Sequence, residues 1–275
     1  VAVKFSDDIQ KIMMQNQSII ANFMAALEER EFQVYYQPKV NIKNQTICGA
    51  EALVRWQRDG KLISPMQFIP QLEREGSIIK LDYYMLEEVC RFLRKWMDEG
   101  HAPICISVNF SRKHLDDDDM VEHIVSILDE HGIAHQYIEI ELTESEDFQN
   151  YEIMTNIVNE LSEAGIGTSM DDFGTGFSSL NMIKKLDLKV IKIDRSFIPL
   201  ETDYSGKDKD MIMFCNIVTL LRELGKKTIA EGVETQQQLR YLENVGCDIV
   251  QGYVFDKPLC EADFRKRLEN GYGSC

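Results

Sequence analysis

Eight short apolar runs recur along this chain, spaced so that a helix fits between almost all of them. They are Phe32–Pro38, Thr46–Leu53, Ile104–Asn109, Ile138–Leu142, Gly167–Met170, Val190–Ile193, Thr228–Ala230 and Ile249–Gln251. From the second run onward the gaps carry helical periodicity. Met85, Leu86, Val89, Cys90, Leu93 and Trp96 form one apolar face; Val121, Ile124, Val125 and Leu128 form another. Met154, Ile157, Val158 and Leu161 make a third, and Met213, Phe214, Ile217, Leu220 and Leu221 a fourth. Strands alternating with helices predict the α/β class and a closed (β/α)8 TIM-like barrel, with an open doubly wound sheet as the competing architecture. The first gap is the exception, because only Val40 to Gln45 separate the first two runs. A parallel crossover needs a dozen or more residues, so these two strands are expected to form an antiparallel hairpin beside seven parallel strands.

Ahead of the barrel, residues 6–30 read as an amphipathic helix through Ile9, Ile12, Met13, Ile19, Ile20, Phe23, Met24 and Leu27. The expected division is a linker helix over 1–30 and one globular unit over 31–275. Val1 in place of Met suggests a piece of a longer chain. No apolar run approaches the roughly 20 residues of a membrane helix, so no membrane segment is expected. Seven scattered cysteines without a CxxC pair suit a reducing cytoplasm, although missing segments could anchor a longer protein to a membrane. A formal charge of −16 argues against a DNA or RNA polymer as partner.

Polar residues cluster where the apolar runs end. Glu51, Asn109, Glu141, Asp171, Lys192, Glu231 and Gln251 close seven different runs. Barrel sites are built from the C-terminal ends of several strands, so these side chains should converge on one face. Carboxylates and a carboxamide oxygen are hard donors suited to Mg²⁺ or Mn²⁺, and Asp172 adds another beside Asp171. Carboxylates packed this closely would repel without cations, so the cluster itself implies bound metal.

The ordered motifs YYQP (35–38), EALVRW (51–56), SVNFS (107–111), ELTES (141–145), DDFGTGFSSL (171–180), IKIDRSFI (191–198), AEGVET (230–235) and QGYVFDKP (251–258) resemble those of EAL-family phosphodiesterases. The resemblance spans 32–260 and would make 31–275 an EAL phosphodiesterase domain. It implies hydrolysis of cyclic-di-GMP to linear pGpG with two divalent cations, Mg²⁺ or Mn²⁺. Glu51, Asn109, Glu141 and Asp171 match the ligands of one ion; Asp171, Asp172 and Glu231 match those of the other. Lys192 and Glu231, with Glu51, match the catalytic set around the attacking water. Gln37, Leu53, Arg55 and Gln251 match the residues that hold the dinucleotide, and Glu144 matches one that braces a loop. The family further suggests a homodimer and an upstream regulatory or diguanylate-cyclase-type domain. Two other functions compete: a catalytically silent cyclic-di-GMP receptor, and a barrel phosphodiesterase for another nucleotide. The receptor is disfavoured because no ligand is lost, and the other phosphodiesterase because Gln37, Arg55 and Gln251 are present.

Plainer readings accompany some positions. Arg55 and Trp56 could cover apolar surface, Gly174–Gly176 could be a tight turn, and Glu234 could cap a helix near Thr235. The N-terminal helix could plug the barrel bottom. Phe177 stands where the family more often has Tyr, and Asp256 stands where a small residue is common, adding negative charge near the mouth.

Overall fold

The computed structural model describes residues 19–143, 151–173, 186, 188–198 and 209–272. Within them α1 covers 19–28 and is followed by β1 (Phe32–Asn41) and β2 (Ile47–Arg58). Next come β3 (Lys61–Ile63), α2 (Pro65–Glu75), α3 (Ile78–Asp98), β4 (Cys105–Phe110), α4 (Met120–Glu130) and β5 (Ile138–Thr143). The order continues with α5 (Tyr151–Glu163), β6 (Gly167–Phe173), β7 (Val190–Ile193), α6 (Lys209–Glu223) and β8 (Lys227–Ala230). It ends with α7 (Gln236–Val245), β9 (Ile249–Val250), β10 (Leu259–Cys260) and α8 (Glu261–Asn270).

The barrel closes through the one strand that runs backwards. β2, β4, β5, β6, β7, β8 and β9 pair in that order and in parallel, and β1 is antiparallel to both β2 and β9. The hairpin follows from its turn chemistry. Asn41 Oδ1 accepts from the Lys43 amide at 3.0 Å, Asn44 Oδ1 accepts from the Thr46 amide at 3.1 Å, and Gln45 takes a φ of 53°. Such side-chain caps let a short segment reverse the chain.

One strand is longer than its apolar run implies. β2 continues to Arg58, so Glu51 sits mid-strand, opposite Gln37 of β1, and Leu53 and Arg55 ride on the extension. The extension persists because its outer face is covered. Phe32 packs against Trp56 at 4.9 Å between ring centroids, with Phe68 of α2 5.7 Å from Phe32. Trp56 is thus interior rather than a surface cover, and its Nε1 donates to Glu31 Oε2 at 2.7 Å. The two short strands β3 and β10, which carry no recognisable apolar run, pair with the outer ends of β2 and β1.

The described part of the N-terminal helix does not plug the barrel bottom. Phe23 of α1 meets Phe32 edge-on at 5.7 Å. Because β1 runs antiparallel, Phe32 lies at the mouth end, and α1 docks on the back of the hairpin. Residues 1–18 of the expected helix lie outside the described residues, as do Gly174–Gly176 and Phe177.

The helical periodicities place α3, α4, α5 and α6, with one phase error. In α6 the buried stripe is Met211, Phe214, Val218 and Leu221, while Met213 is 47% exposed. At about 100° per residue, Met213 falls off the stripe that Phe214 defines. Cys48 is exposed, because it lies near the start of β2 at the barrel's lower rim. Phe32→Ala is expected to lower stability by about 3–5 kcal/mol, through loss of the ring that joins α1, α2 and the hairpin. A denaturant midpoint unchanged from the parent would contradict this account of the hairpin's outer face.

Candidate active site

Strand side chains alternate between the barrel interior and the surrounding helices. Ala50, Ala52, Ile106, Val108, Ile140, Met170, Ile191 and Ile193 are buried beneath the helices. Their neighbours Glu51, Asn109, Glu141, Asp171 and Lys192 therefore face inward. Gln37 from β1, Glu231 just after β8 and Gln251 just after β9 complete one layer at the mouth. The strand-end residues predicted to converge do so.

Lys192 is the hub. Its fully buried ammonium lies 2.6 Å from Glu141 Oε2, 2.9 Å from Glu231 Oε1, 3.1 Å from Asp171 Oδ1 and 3.4 Å from Glu51 Oε2. Asn109 Nδ2 donates to Glu51 Oε1 at 2.8 Å, which leaves its carboxamide oxygen as an acceptor. Gln251 Nε2 donates to Glu51 Oε2 and, at 3.3 Å, to Gln37 Oε1.

Four carboxylates around one ammonium leave excess negative charge in a dry setting, and burial and neighbouring charge shift Glu51, Glu231 and Glu141. Burial, reinforced by Glu141, raises Glu51. Burial also pushes Glu231 up to about 8, with Lys192 opposing and Asp171 and Glu51 adding to the rise. For Glu141 burial works the same way, but Lys192 and Lys39 together outweigh it and hold that carboxyl far below its usual range. Ligand oxygens of Glu51, Glu141 and Asp171 lie within 4.8 Å of one another. Hard oxygens that close, with charge left uncompensated, fit divalent cations.

Beneath this layer lies a second polar tier that strand-end reasoning missed. Lys39 Nζ donates to Ser107 Oγ at 2.7 Å, to Glu139 Oε1 at 2.9 Å and to Glu141 Oε1 at 2.9 Å. Ser169 Oγ donates to Glu139 Oε1 at 3.1 Å. Each tier member lies two positions from a mouth residue on its own strand, so period two would have found all four.

The mouth opens into two adjoining cavities of about 310 and 270 Å³, which share Glu51, Leu53 and Asp171 at their waist. Arg55 lines the first, half-buried above the Tyr35 ring, and its Nη1 donates to the Val54 carbonyl at 2.7 Å. The same cavity is lined by Asp82 of α3, another residue absent from the strand-end set. Asp82 Oδ2 lies 3.1 Å from the buried His114 Nε2 and accepts from the Ser111 amide at 2.9 Å. The second cavity is lined by Gln37, Glu231, Gln251 and Tyr253.

Two expectations are corrected. Asp256 adds no free charge at the mouth, because Arg267 Nε lies 2.7 Å from its Oδ2 and the Tyr272 hydroxyl donates to it at 2.7 Å. Glu234 does not cap α7. Thr235 does, in a capping box with Gln238, since only Thr235 stands three residues before Gln238. Asp172 lies on β6, but its side chain is outside the described residues, and so is Glu144.

The fold is a closed α/β barrel whose mouth gathers an acidic, lysine-centred cluster with donor oxygens spaced as a cation would need. The sequence profile of the EAL domain family matches residues 20–258, and the chain belongs to that family. Among its relatives is the bifunctional diguanylate cyclase/cyclic di-GMP phosphodiesterase MucR of Pseudomonas aeruginosa, 35% identical over 256 residues. That alignment covers 93% of this chain and 37% of MucR. The cyclic di-GMP phosphodiesterase NbdA of the same organism is 36% identical over 235 residues, covering 85% of this chain and 30% of NbdA. The chain thus spans less than two-fifths of either relative. A solved PaMucR phosphodiesterase in complex with c-di-GMP superposes with a TM-score of 0.81 at 36% identity, covering 90% of this chain and 99% of that one.

Removing the hub should cost the cation-free protein heavily. Lys192→Met is expected to destabilise it by about 3–5 kcal/mol in chelator, because buried carboxylates are left without their partner. Added Mg²⁺ should recover part of that loss. Unfolding midpoints of the variant that match the parent's in chelator would contradict the hub's role.

Proposed function

We propose that this chain is a metal-dependent phosphodiesterase that opens one ester of cyclic-di-GMP to give linear pGpG. The observation that carries the reading is the joining of an acidic, lysine-centred cluster to a two-lobed cleft with Arg55 and two carboxamides at its walls. Glu51, Asn109, Glu141 and Asp171 would hold one divalent ion, and Asp171, Asp172 and Glu231 a second. Mg²⁺ or Mn²⁺ bound there would supply the charge that offsets the phosphodiester and would acidify water.

The chain's own groups account for the rest. Lys192 and Glu231, 2.9 Å apart at the cluster's centre, orient the attacking water opposite the departing 3′ oxygen, and Glu231 is placed to take its proton. Arg55 carries no ion pair among the described residues, so its guanidinium is available for a charge-assisted contact with the non-scissile phosphate. Gln251 Oε1 is buried without a hydrogen-bond partner among the described residues and can accept from the ligand. Leu53 gives the waist an apolar wall between the lobes. Glu144, outside the described residues, keeps the loop-bracing role that the family resemblance implies.

The native protein, on this reading, is a larger cytoplasmic-facing signalling chain. Residues 1–30 lead from an upstream regulatory or cyclase-type domain into a catalytic unit over 31–275, which pairs as a homodimer. Among the described residues no helix is long and apolar enough to cross a membrane.

Incubation with cyclic-di-GMP and Mg²⁺ or Mn²⁺, followed by chromatography, should yield pGpG that chelator abolishes. Glu51→Ala and Asp171→Asn are each expected to cut turnover by roughly 100-fold or more, since each removes a preorganised charge at the reacting centre. Near-parental turnover in either variant would sink the assignment. Intact nucleotide retained by the parent protein would instead favour the receptor reading.

A further inference from the structure

The lower tier has no place in the proposed reaction, yet it is built around a costly group. Lys39 is 5% exposed, and its ammonium has left water for the barrel interior. A buried ion pair seldom adds stability over well-packed apolar side chains, so stability alone does not explain a lysine here. Its geometry does. Three N–H donors meet three oxygens, those of Ser107, Glu139 and Glu141, all at 2.7–2.9 Å.

The contact with Glu141 is the informative one. Glu141 has no solvent exposure, and its two oxygens are divided: Oε1 goes to Lys39 and Oε2 to Lys192. Lys39 approaches from below, on the one strand that runs against the others. Lys192 approaches from the layer where Glu51 and Asp171 also gather. Holding Oε1 down leaves Oε2 as the oxygen presented to the mouth. Glu139 and Ser169 fix Lys39 in turn, because Ser169 Oγ steadies the Glu139 oxygen that the ammonium shares. The backbone cooperates as well. A Cβ at Gly49 would come within 2.8 Å of the Cys105 carbonyl, so glycine permits the close β2–β4 approach beside the Lys39 stem.

We infer that Lys39 is a positioning residue for the cation site, which holds Glu141 Oε1 so that Oε2 faces the ion, and thereby sets divalent-cation affinity without touching ion or nucleotide. This rests on the metal-site reading above. Groups that orient ligands in this way typically change metal affinity 10–100-fold when removed.

The test is direct Mn²⁺ titration, by calorimetry or by the paramagnetic signal of free Mn²⁺, with no nucleotide present. The parent, Lys39→Met and Lys39→Met/Glu139→Leu are compared. The double variant removes one charge of each sign and replaces the pair by apolar side chains, which keeps the comparison if Lys39→Met alone does not fold. Mn²⁺ binding weakened by roughly 10–100-fold in both folded variants is expected, with the KM for cyclic-di-GMP at saturating Mn²⁺ unchanged. Parental Mn²⁺ affinity in either folded variant would overturn the role of Lys39, as would recovery of parental affinity in the double variant alone, which would make the lysine a simple counter-charge. Absence of Mn²⁺ binding by the parent would overturn the metal-site reading itself.

Discussion

The structure is organised around a charge problem. A barrel that aims carboxylates from β2, β5, β6 and the end of β8 at one point must offset their repulsion where water is scarce. The described residues answer with two ammonium groups stacked along the axis, Lys192 in the mouth layer and Lys39 beneath it. Their surroundings follow from this need. Serines 107 and 169 complete the hydrogen bonding of the lower tier, and carboxamides rather than further acids occupy Asn109, Gln37 and Gln251. The charge that remains uncompensated gives the mouth the chemistry that divalent cations suit.

The reversed strand is the second organising feature, and it grows from a connection too short for a crossover. Because β1 descends while the others ascend, its inward side chains are ordered from mouth to floor: Gln37 reaches the cleft, and Lys39 the lower tier. The same reversal lets the β1–β2 hairpin project past the barrel rim. One face of that projection carries Leu53 and Arg55 into the cleft. The other face carries Phe32 and Trp56, on which α1 docks. α1 and the cleft therefore lie on opposite faces of the same hairpin.

Most of this plan was legible in the order of residues, since apolar strands in a closed barrel must end in whatever polar groups do its work. The mouth layer was found for that reason. The lower tier was hidden because Ser107, Glu139 and Ser169 sit inside apolar runs, where each reads as an interruption, and Lys39 falls just past the end of the first run. Only the alternation of inward and outward positions, counted back from the mouth, marks them. Asp82 and His114 were hidden for a different reason. Asp82 reaches the cleft from a helix and is braced from behind by His114 of the segment after β4, and no periodicity within one element announces a contact 32 positions away. Local competition explains the smaller misses. Glu234 and Thr235 both suit a cap, and the distance to Gln238 decides between them. Met213 and Phe214 both suit an apolar face, and the phase of one turn decides.

Net charge and site charge pull in opposite directions. At a formal −16 the chain repels a dianionic nucleotide at long range and attracts divalent cations. At physiological ionic strength that repulsion fades beyond about 8 Å, so it bears on encounter more than on the seated complex. Close in, the proposed ligand would meet a different field. Arg55 stands without a carboxylate partner among the described residues, and Asp256 is turned away onto Arg267 and Tyr272. Cations held by the mouth layer would reverse the local sign where the phosphodiester must sit. On the proposed reading, filling the cation site would favour a phosphorylated ligand, and nucleotide affinity would then follow the geometry of Glu141 and its neighbours.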